Sequence, residues 1–497
     1  MTIAAGILES RSPATGELLG SYPVMGSDDV RRTVDSARIA ARWWSDLDWQ
    51  GRRQRLLAWK HRLARGMEPL VALVSSEMGK PVDDARLEVI LTLEHLHWAA
   101  VNAERVLGPR RVRPGLLTLN QQATLEYEPM GVAAVIGPWN YPVFTPMGSI
   151  AYALAAGNAV VFKPSEWSTA IGMWMAERFV EAVPEQPVLQ VVTGDGATGE
   201  ALCRSGADIV SFTGSTRTGR KVMAACAETL TPVVLECGGK DAVLVDRDAD
   251  LAAAAEAIAF GAFSNAGQTC TGVERVYAHT EIYDDLLRRV TAAAADLAPG
   301  HGARASYGPM TLPGQPSVVE RHVRDALARG GRLVLGQPPF DGSRVIPPVI
   351  VADVPEDSEA ILEETFGPLV AINRVRDLDE AVDRANATRY GLAASVFAGD
   401  RGRAERTARR LQCGMVSINS WVMYAGVPEL PWGGVRDSGI GRIHGADGLR
   451  AFTQPKSVVR QRFRLPVTLT SFDRHPLTGR ALAAAMRLRH GGVPWLR

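Results

Sequence analysis

Between Val132 and Glu236 the chain repeats one pattern, and that pattern limits the possible fold more than any other feature of its 497 residues. Short apolar runs at Val132 to Ile136, Ala159 to Phe162, Leu189 to Val192, Ile209 to Phe212 and Val233 to Glu236 alternate with helical segments. The helices are predicted over Ser168 to Val183, Gly196 to Ser205 and Gly219 to Glu228. Strand–helix–strand order with uniformly apolar strands predicts an α/β fold with a parallel, doubly wound sheet. Such sheets bind ligands beyond the carboxyl ends of their strands. Asn140, Lys163, Gly214 and Glu236 all fall at or just past those ends.

A second alternating region runs from Val273 to about Asn419 and predicts a second α/β domain. Its helices are expected over Ile282 to Leu297, Val318 to Arg329, Leu378 to Ala385 and Arg403 to Leu411. Its strands are expected over Leu333 to Leu335, Leu369 to Arg374 and Val416 to Ile418. A chain this long exceeds one ordinary core and implies two or three domains. Upstream, the turn-rich stretch Ser12 to Tyr22 leads a short hairpin, and helical periodicity dominates from Asp28 to about Asn102. Val30, Val34, Ala37 and Ala41 recur at helical spacing, as do Leu56, Leu57, Trp59 and Leu63. Arg52, Arg53 and Arg55 read as solvated surface in preference to a phosphate site. Thr118 to Tyr127 alternates in the manner of a strand pair, an arm that would pair with something else.

Composition narrows the function classes. A net charge of +1 gives no reason to expect nucleic acid. Five cysteines at irregular spacing make neither a disulfide framework nor a metal cluster, so no metal and a reducing, cytoplasmic setting are expected. Met1 to Ser10 lacks the pattern of a secretory signal. No run reaches the roughly 18 apolar residues that span a bilayer; Leu251 to Phe263 comes nearest and reads as a buried helix.

That helix separates two chemically loaded motifs. Leu235-Glu236-Cys237-Gly238-Gly239-Lys240 carries a carboxylate, and Asn265-Ala266-Gly267-Gln268-Thr269-Cys270 carries a thiol among small residues. A thiolate that attacks and a carboxylate that activates water are a minimal apparatus for covalent acyl chemistry. Cys203, Cys226 and Cys413 read as buried and inert, and Cys237 should face away from its neighbour Glu236. Phe212 to Gly219 (FTGSTRTG) places glycine between a strand and a helix N-terminus, a setting for phosphate, although it lacks the G-x-G-x-x-G spacing. Lys163-Pro164-Ser165-Glu166 could grip ribose hydroxyls, with the carboxylate repelling a 2′-phosphate. Pro138-Trp139-Asn140-Tyr141-Pro142 holds an amide rigidly enough to stabilise an oxyanion. Each motif alone also reads as an ordinary turn or charged loop.

Together these motifs resemble the aldehyde dehydrogenase superfamily. The resemblance starts at Ser12-Pro13-Ala14-Thr15-Gly16-Glu17 and continues through the motifs above. It extends to Glu363-Glu364-Thr365-Phe366-Gly367-Pro368-Leu369, Pro431-Trp432-Gly433-Gly434 and Ser438-Gly439-Ile440-Gly441-Arg442. It implies a Rossmann-like NAD-binding domain (1–108 and 130–235), a catalytic domain (236–422) and a small β oligomerisation arm (109–129 and 423–461), with 462–497 as a C-terminal extension. It implies NAD(P)-dependent oxidation of an aldehyde to a carboxylate, with Cys270 as nucleophile, Asn140 and the Cys270 N–H as oxyanion hole, and Glu236 as base. Lys163 and Glu166 would hold the adenine-side ribose, Ser165 would also contact the cofactor, Gly214 and Ser215 would lie along the pyrophosphate, and Glu364 would bind the nicotinamide-side ribose. Trp139 and Phe366 would adjoin the cofactor, and Tyr141, Gly148, Trp421 and Tyr424 would border a substrate tunnel for an apolar aldehyde. Homodimers or homotetramers are implied.

Three features depart from the family pattern. Cys237 stands where Leu is usual. Gly148 replaces an aromatic found in several relatives acting on small aldehydes, which predicts a wider tunnel. The chain also continues from about Arg462 to Arg497 with a basic, helix-like Arg480 to His490, for which a packing or interface helix is preferred to a membrane-surface anchor. Glu166 favours NAD, with NADP open. The alternatives are a CoA-acylating dehydrogenase, against which Glu236 argues, and a non-catalytic binding protein, against which the intact Cys270, Glu236 and Asn140 argue.

Overall fold

In the computed structural model, which describes residues 2–4, 6–302, 304–340, 342–465, 471–472 and 476–491, the first alternating region forms a six-stranded sheet. Its order is Gly439–Ile440, Val233–Cys237, Ile209–Gly214, Val132–Ile136, Ala159–Lys163, Leu189–Val191. The last five are parallel, and the short Gly439–Ile440 runs antiparallel to Val233–Cys237. Every residue of Val132–Ile136 and Ala159–Lys163 is buried, as expected of strands covered on both faces. The expected helices occur as Thr169–Ala182, Gly196–Cys203 and Thr216–Ala227. One more helix, Phe144–Ala155, was not anticipated. All of its residues are buried, so it carries no polar face from which a period could be read.

The second region forms a seven-stranded sheet in the order Arg332–Leu335, Val349–Ala352, Leu369–Val375, Val273–His279, Asp241–Val245, Ala393–Phe397, Met415–Ile418. Only the edge strand Arg332–Leu335 is antiparallel to its neighbour. Asp241–Val245, Val349–Ala352 and Ala393–Phe397 were missed in the sequence. They are short, wholly buried runs without alternation, which periodicity cannot assign. A large core of buried aliphatic and aromatic side chains lies under this sheet, with the Leu251–Phe263 helix packed into it.

The N-terminus is a three-stranded antiparallel sheet whose Ile7–Arg11 and Leu18–Pro23 form the expected hairpin. Four helices follow: Ser27–Asp46, Trp49–Arg65, Met67–Met78 and Val82–Leu107. The first buries Val30, Val34, Ala37, Ala41 and Trp44 on one face, and Asp48 caps the second by accepting from Gly51 N. Arg52 corrects the surface reading of the arginines. It is buried, lies 4.5 Å over the Trp49 ring, and donates to the carbonyls of Ser45 and Leu47 that end the preceding helix.

Contacts separate 108–128 with 455–497 from the rest of the chain, and both large sheets belong to the other unit. The smaller unit holds a three-stranded sheet ordered Thr453–Gln461, Gln121–Pro129, Arg110–Val112. Thr118 to Tyr127 is therefore not a strand pair in itself. Leu116–Thr118 is a 3-10 turn, and Gln121–Pro129 is one strand paired with Arg110–Val112. The expected C-terminal helix is Pro476–His490. Parts of the extension (466–470, 473–475 and 492–497) lie outside the described residues.

Candidate active site

Glu236 reaches the carboxyl end of the six-stranded sheet through its strand, in register with Thr213. The chain then crosses to the other sheet at Gly238-Gly239, and close approach explains both glycines. A Cβ on Gly238 would lie 2.2 Å from Glu364 Oε2, and one on Gly239 would lie 2.7 Å from the Cys270 carbonyl oxygen. Asp250 caps the Leu251–Phe263 helix by accepting from Ala252 and Ala253 N, and that helix returns the chain. It ends in a turn where Asn265, Ala266 and Gly267 all have positive φ (52°, 56° and 70°), a conformation costly for side chains other than glycine.

Side-chain amides hold this turn in place. Asn265 Nδ2 donates to the carbonyls of Asn140 (3.2 Å) and Gln268 (3.1 Å), and Gln268 Oε1 accepts from Thr311 N at 2.8 Å. Asn140 lines the cavity, and its Nδ2 donates one of its two N–H groups to the Gln268 carbonyl at 3.1 Å. Cys270 leaves the turn pointing into the cavity. A methyl group on Gly267 would meet the Gly367 carbonyl oxygen at 2.2 Å. Gly267→Ala is therefore expected to cost about 2–4 kcal/mol through strain and overlap. A thermal unfolding scan checks this, and an unchanged midpoint would contradict it.

A single cavity of about 1330 Å³ runs along the ends of the strands. It is lined by all eleven residues expected to serve catalysis or cofactor: Trp139, Asn140, Lys163, Ser165, Glu166, Gly214, Ser215, Glu236, Cys270, Glu364 and Phe366. Ser215 caps the Thr216–Ala227 helix by accepting from Thr218 N, and this first turn lines the cavity as an anion-binding N-terminus would. Lys163 Nζ lies 3.9 Å from the Glu166 carboxylate and donates to the Pro164 carbonyl at 3.1 Å. Burial lowers its proton affinity, and Glu166 and Asp195 oppose that shift. Farther along, Phe366 meets Trp139 edge-on at 5.5 Å. A helix N-terminus, two carboxylates and an aromatic pair along one cavity are groups compatible with a bound dinucleotide.

At the Cys270 end the electrostatics are those of buried carboxylates. Burial pushes Glu236 up to about 7, opposed by donation from Trp432 Nε1 (3.4 Å to Oε1) and by the Cys270 thiol. Burial and the neighbouring Glu236, Asp241 and Glu364 carboxylates raise the Cys270 thiol well above its ordinary value. Glu364 accepts from Gly239 N at 3.2 Å, and burial together with Glu274 pushes it up to about 8. Cys237 also lines this cavity, contrary to the expectation that it and Glu236 would not share a pocket, with its Sγ 2.8 Å from where a Cβ on Gly219 would stand.

The four residues expected along a substrate tunnel do not line this cavity. Tyr141 Oη lies 3.2 Å from Thr269 Oγ1, with Lys80 Nζ 3.7 Å over its ring. Trp421 Nε1 donates to the Thr271 carbonyl at 3.0 Å, and the Tyr424 hydroxyl also bonds Thr271. These three therefore gather on the residues flanking Cys270. Gly148 differs from its expectation. A Cβ there would stand 2.3 Å from His444 Nε2, so the room left by the glycine is filled by an imidazole and does not widen a tunnel.

Several functional residues escaped sequence reasoning. Lys240 and Glu274 form a buried ion pair, and the Glu274 carboxylate also accepts from Thr365 N (2.8 Å) and Phe366 N (3.0 Å). That pair holds the segment bearing Glu364 and Phe366. The only signal for it was Lys240 at the end of the E-x-GGK motif. Trp432 belongs to the quoted PWGG motif, but nothing in the motif indicated that it would donate to Glu236.

Comparison with known proteins agrees with this geometry. Residues 3–458 match the model of the aldehyde dehydrogenase family. The chain is 37% identical over 457 residues to 4,4'-diapolycopene aldehyde oxidase from a Methylomonas species, covering 92% of this chain and 86% of that protein. It superposes with a TM-score of 0.89 on an NAD-dependent aldehyde dehydrogenase from Sinorhizobium meliloti, at 33% identity and with 94% and 93% of the two chains covered. An NADP-dependent glyceraldehyde-3-phosphate dehydrogenase from Bacillus halodurans, complexed with NADP, gives a TM-score of 0.87 at 32% identity, covering 92% and 96%. A family match over nearly the whole chain, on a scaffold whose cavity joins a thiol, a buried carboxylate and groups compatible with a dinucleotide, leaves one assignment: the chain belongs to the aldehyde dehydrogenase family and is an NAD(P)-dependent oxidoreductase acting on aldehydes.

Proposed function

We propose that Cys270 is the nucleophile, that Asn140 Nδ2 and the Cys270 N–H form the oxyanion hole, and that Glu236 is the base that resolves the acyl-enzyme. The observation that carries this reading is the meeting of Cys270 and Glu236 at one end of the cavity. The raised thiol must give up its proton, to solvent along the cavity, before it attacks. The thiolate adds to the aldehyde carbon, and the oxyanion that forms takes up the second Asn140 N–H. Bound in the cavity, the nicotinamide supplies the acceptor for the hydride. The thioester then remains on Sγ. Glu236 takes a proton from water as the water oxygen adds to the thioester carbonyl, and the C–S bond breaks to expel the Cys270 thiolate and give a carboxylic acid that ionises to the carboxylate.

Lys163 and Glu166 would hold the adenine-side ribose, with Ser165 also contacting the cofactor, Gly214 and Ser215 along the pyrophosphate, Glu364 on the second ribose, and Trp139 and Phe366 near the ring. Glu166 supports NAD over NADP by repelling a 2′-phosphate. Tyr141, Trp421 and Tyr424 support an apolar aldehyde. The functional division is residues 1–108 with 130–235 for NAD, 236–422 for catalysis, and 109–129 with 423–461 as the arm of a homodimer or homotetramer. The helix Pro476–His490 is assigned to packing or assembly in preference to a membrane surface. Five free thiols support a reducing, cytoplasmic setting.

A base must be deprotonated to act. Turnover is therefore expected to fall as pH drops through about 7, the value to which burial raises Glu236. Glu236→Gln should remove that limb and retain the first-turnover burst of reduced cofactor. A pH–rate profile unaltered in Glu236→Gln would contradict the assignment. Repeating the assay with an aldehyde panel and both cofactors tests substrate class and cofactor preference.

A further inference from the structure

We propose that Trp432 is a positioning residue for the deacylation step: its indole N–H anchors one oxygen of Glu236 and leaves the other to the attacking water. This rests on the reading of Glu236 as base. The carboxylate is buried, yet among the described residues its oxygens have few partners. Oε1 accepts from Trp432 Nε1 at 3.4 Å, and Oε2 has no hydrogen-bond partner. The other group that offers it a proton is the Cys270 thiol. During deacylation that sulfur is a thioester and has no proton to give. Trp432 then becomes the sole side-chain donor to the base at the step in which the base acts. A carboxylate with one anchored oxygen has a defined orientation, and the unanchored oxygen can take the water proton as the C–S bond breaks.

The indole is itself immobilised. Trp432 exchanges backbone hydrogen bonds with Ile443 at 2.7 and 2.9 Å. Its ring packs against Tyr424 at 5.6 Å, His444 at 6.0 Å and Phe144 at 6.3 Å. His444 occupies the space that Gly148 leaves and lies 4.1 Å from the ring of His95. The glycine at 148 thus serves the catalytic base at second hand, by admitting the imidazole that backs Trp432. The titratable groups that feel the charge of Glu236 are Cys270, Cys237 and Glu364, and none of the three replaces the indole as a donor in the acyl-enzyme.

Phenylalanine fills nearly the same space as tryptophan and cannot donate, so Trp432→Phe separates the hydrogen bond from the packing. In the full-length enzyme with aldehyde and NAD, stopped-flow absorbance should show a first-turnover burst of undiminished amplitude. The steady-state rate should fall about 5- to 20-fold, and the acid limb should move to higher pH because the carboxylate has lost a donor. In a Glu236→Gln background, Trp432→Phe should change nothing further, since the two residues act through one hydrogen bond. Gly148→Ala should displace His444 and slow the steady state with the burst retained. The proposal is overturned if Trp432→Phe leaves the steady-state rate and acid limb unaltered, abolishes the burst, or costs the same factor in both backgrounds. Undiminished deacylation in Glu236→Gln alone would instead remove the base assignment on which the proposal stands.

Discussion

Cys270→Ala is expected to leave aldehyde oxidation reduced on the order of 10⁵-fold or more, the loss typical when a covalent nucleophile is removed. The other four thiols make different contacts. Cys203 and Cys226 are buried and hydrogen-bonded to each other, and Cys413 donates to the Met415 carbonyl at 3.3 Å. Cys237 lies next to Glu236 and lines the same cavity, but its Sγ packs toward Gly219 of the Thr216–Ala227 helix. The substitution removes one sulfur from the wall of a large cavity, so NAD affinity should stay within about twofold of wild type. Absorbance of reduced cofactor and a binding titration measure the two quantities together. Activity above a hundredth of wild type in Cys270→Ala would contradict the assignment. Joint loss of activity and NAD binding would point to misfolding, and Cys270→Ser would then provide the comparison.

The second large effect should come from a residue that touches neither substrate nor thiol. Glu274→Ala would strand Lys240 in the protein interior and remove the acceptor for Thr365 N and Phe366 N. Breaking one side of a buried ion pair costs about 3–5 kcal/mol, because the remaining charge keeps its desolvation penalty and loses its partner. Burial already lowers the proton affinity of Lys240 against the pull of Glu274, so without the carboxylate it would more readily become neutral. The apparent melting temperature at a fixed scan rate should fall by roughly 5–10 °C. The segment carrying Glu364 and Phe366 also loses its anchor, so KM for NAD should rise about tenfold or more. A fall of less than 2 °C with unchanged KM would show that this buried pair is dispensable.

Local signals carried much of the fold. The strands from Val132 to Cys237 were legible as apolar runs, three of which precede a helix that was itself expected, and Leu251–Phe263 was found at its observed ends. Asp241–Val245 was missed, since it follows Val233–Cys237 with no intervening helix to mark a strand–helix–strand step. Likewise, the eleven residues on the main cavity wall sit in compact motifs at strand ends. What could not be read were pairings made only by the folded chain. Lys240 meets Glu274 between neighbouring strands of the seven-stranded sheet, and Gly148 meets His444 from nearly 300 residues away. The wider-tunnel reading of Gly148 failed for that reason. The missing side chain signalled free space, whereas a remote side chain had already filled it.

Mass spectrometry of the Glu236→Gln enzyme, quenched after brief incubation with aldehyde and NAD, addresses the joint role of sulfur and carboxylate most directly. With attack intact and hydrolysis blocked, the acyl group should accumulate on the peptide carrying Cys270, near one equivalent per chain. No adduct there, or the same adduct on another cysteine, would contradict the account.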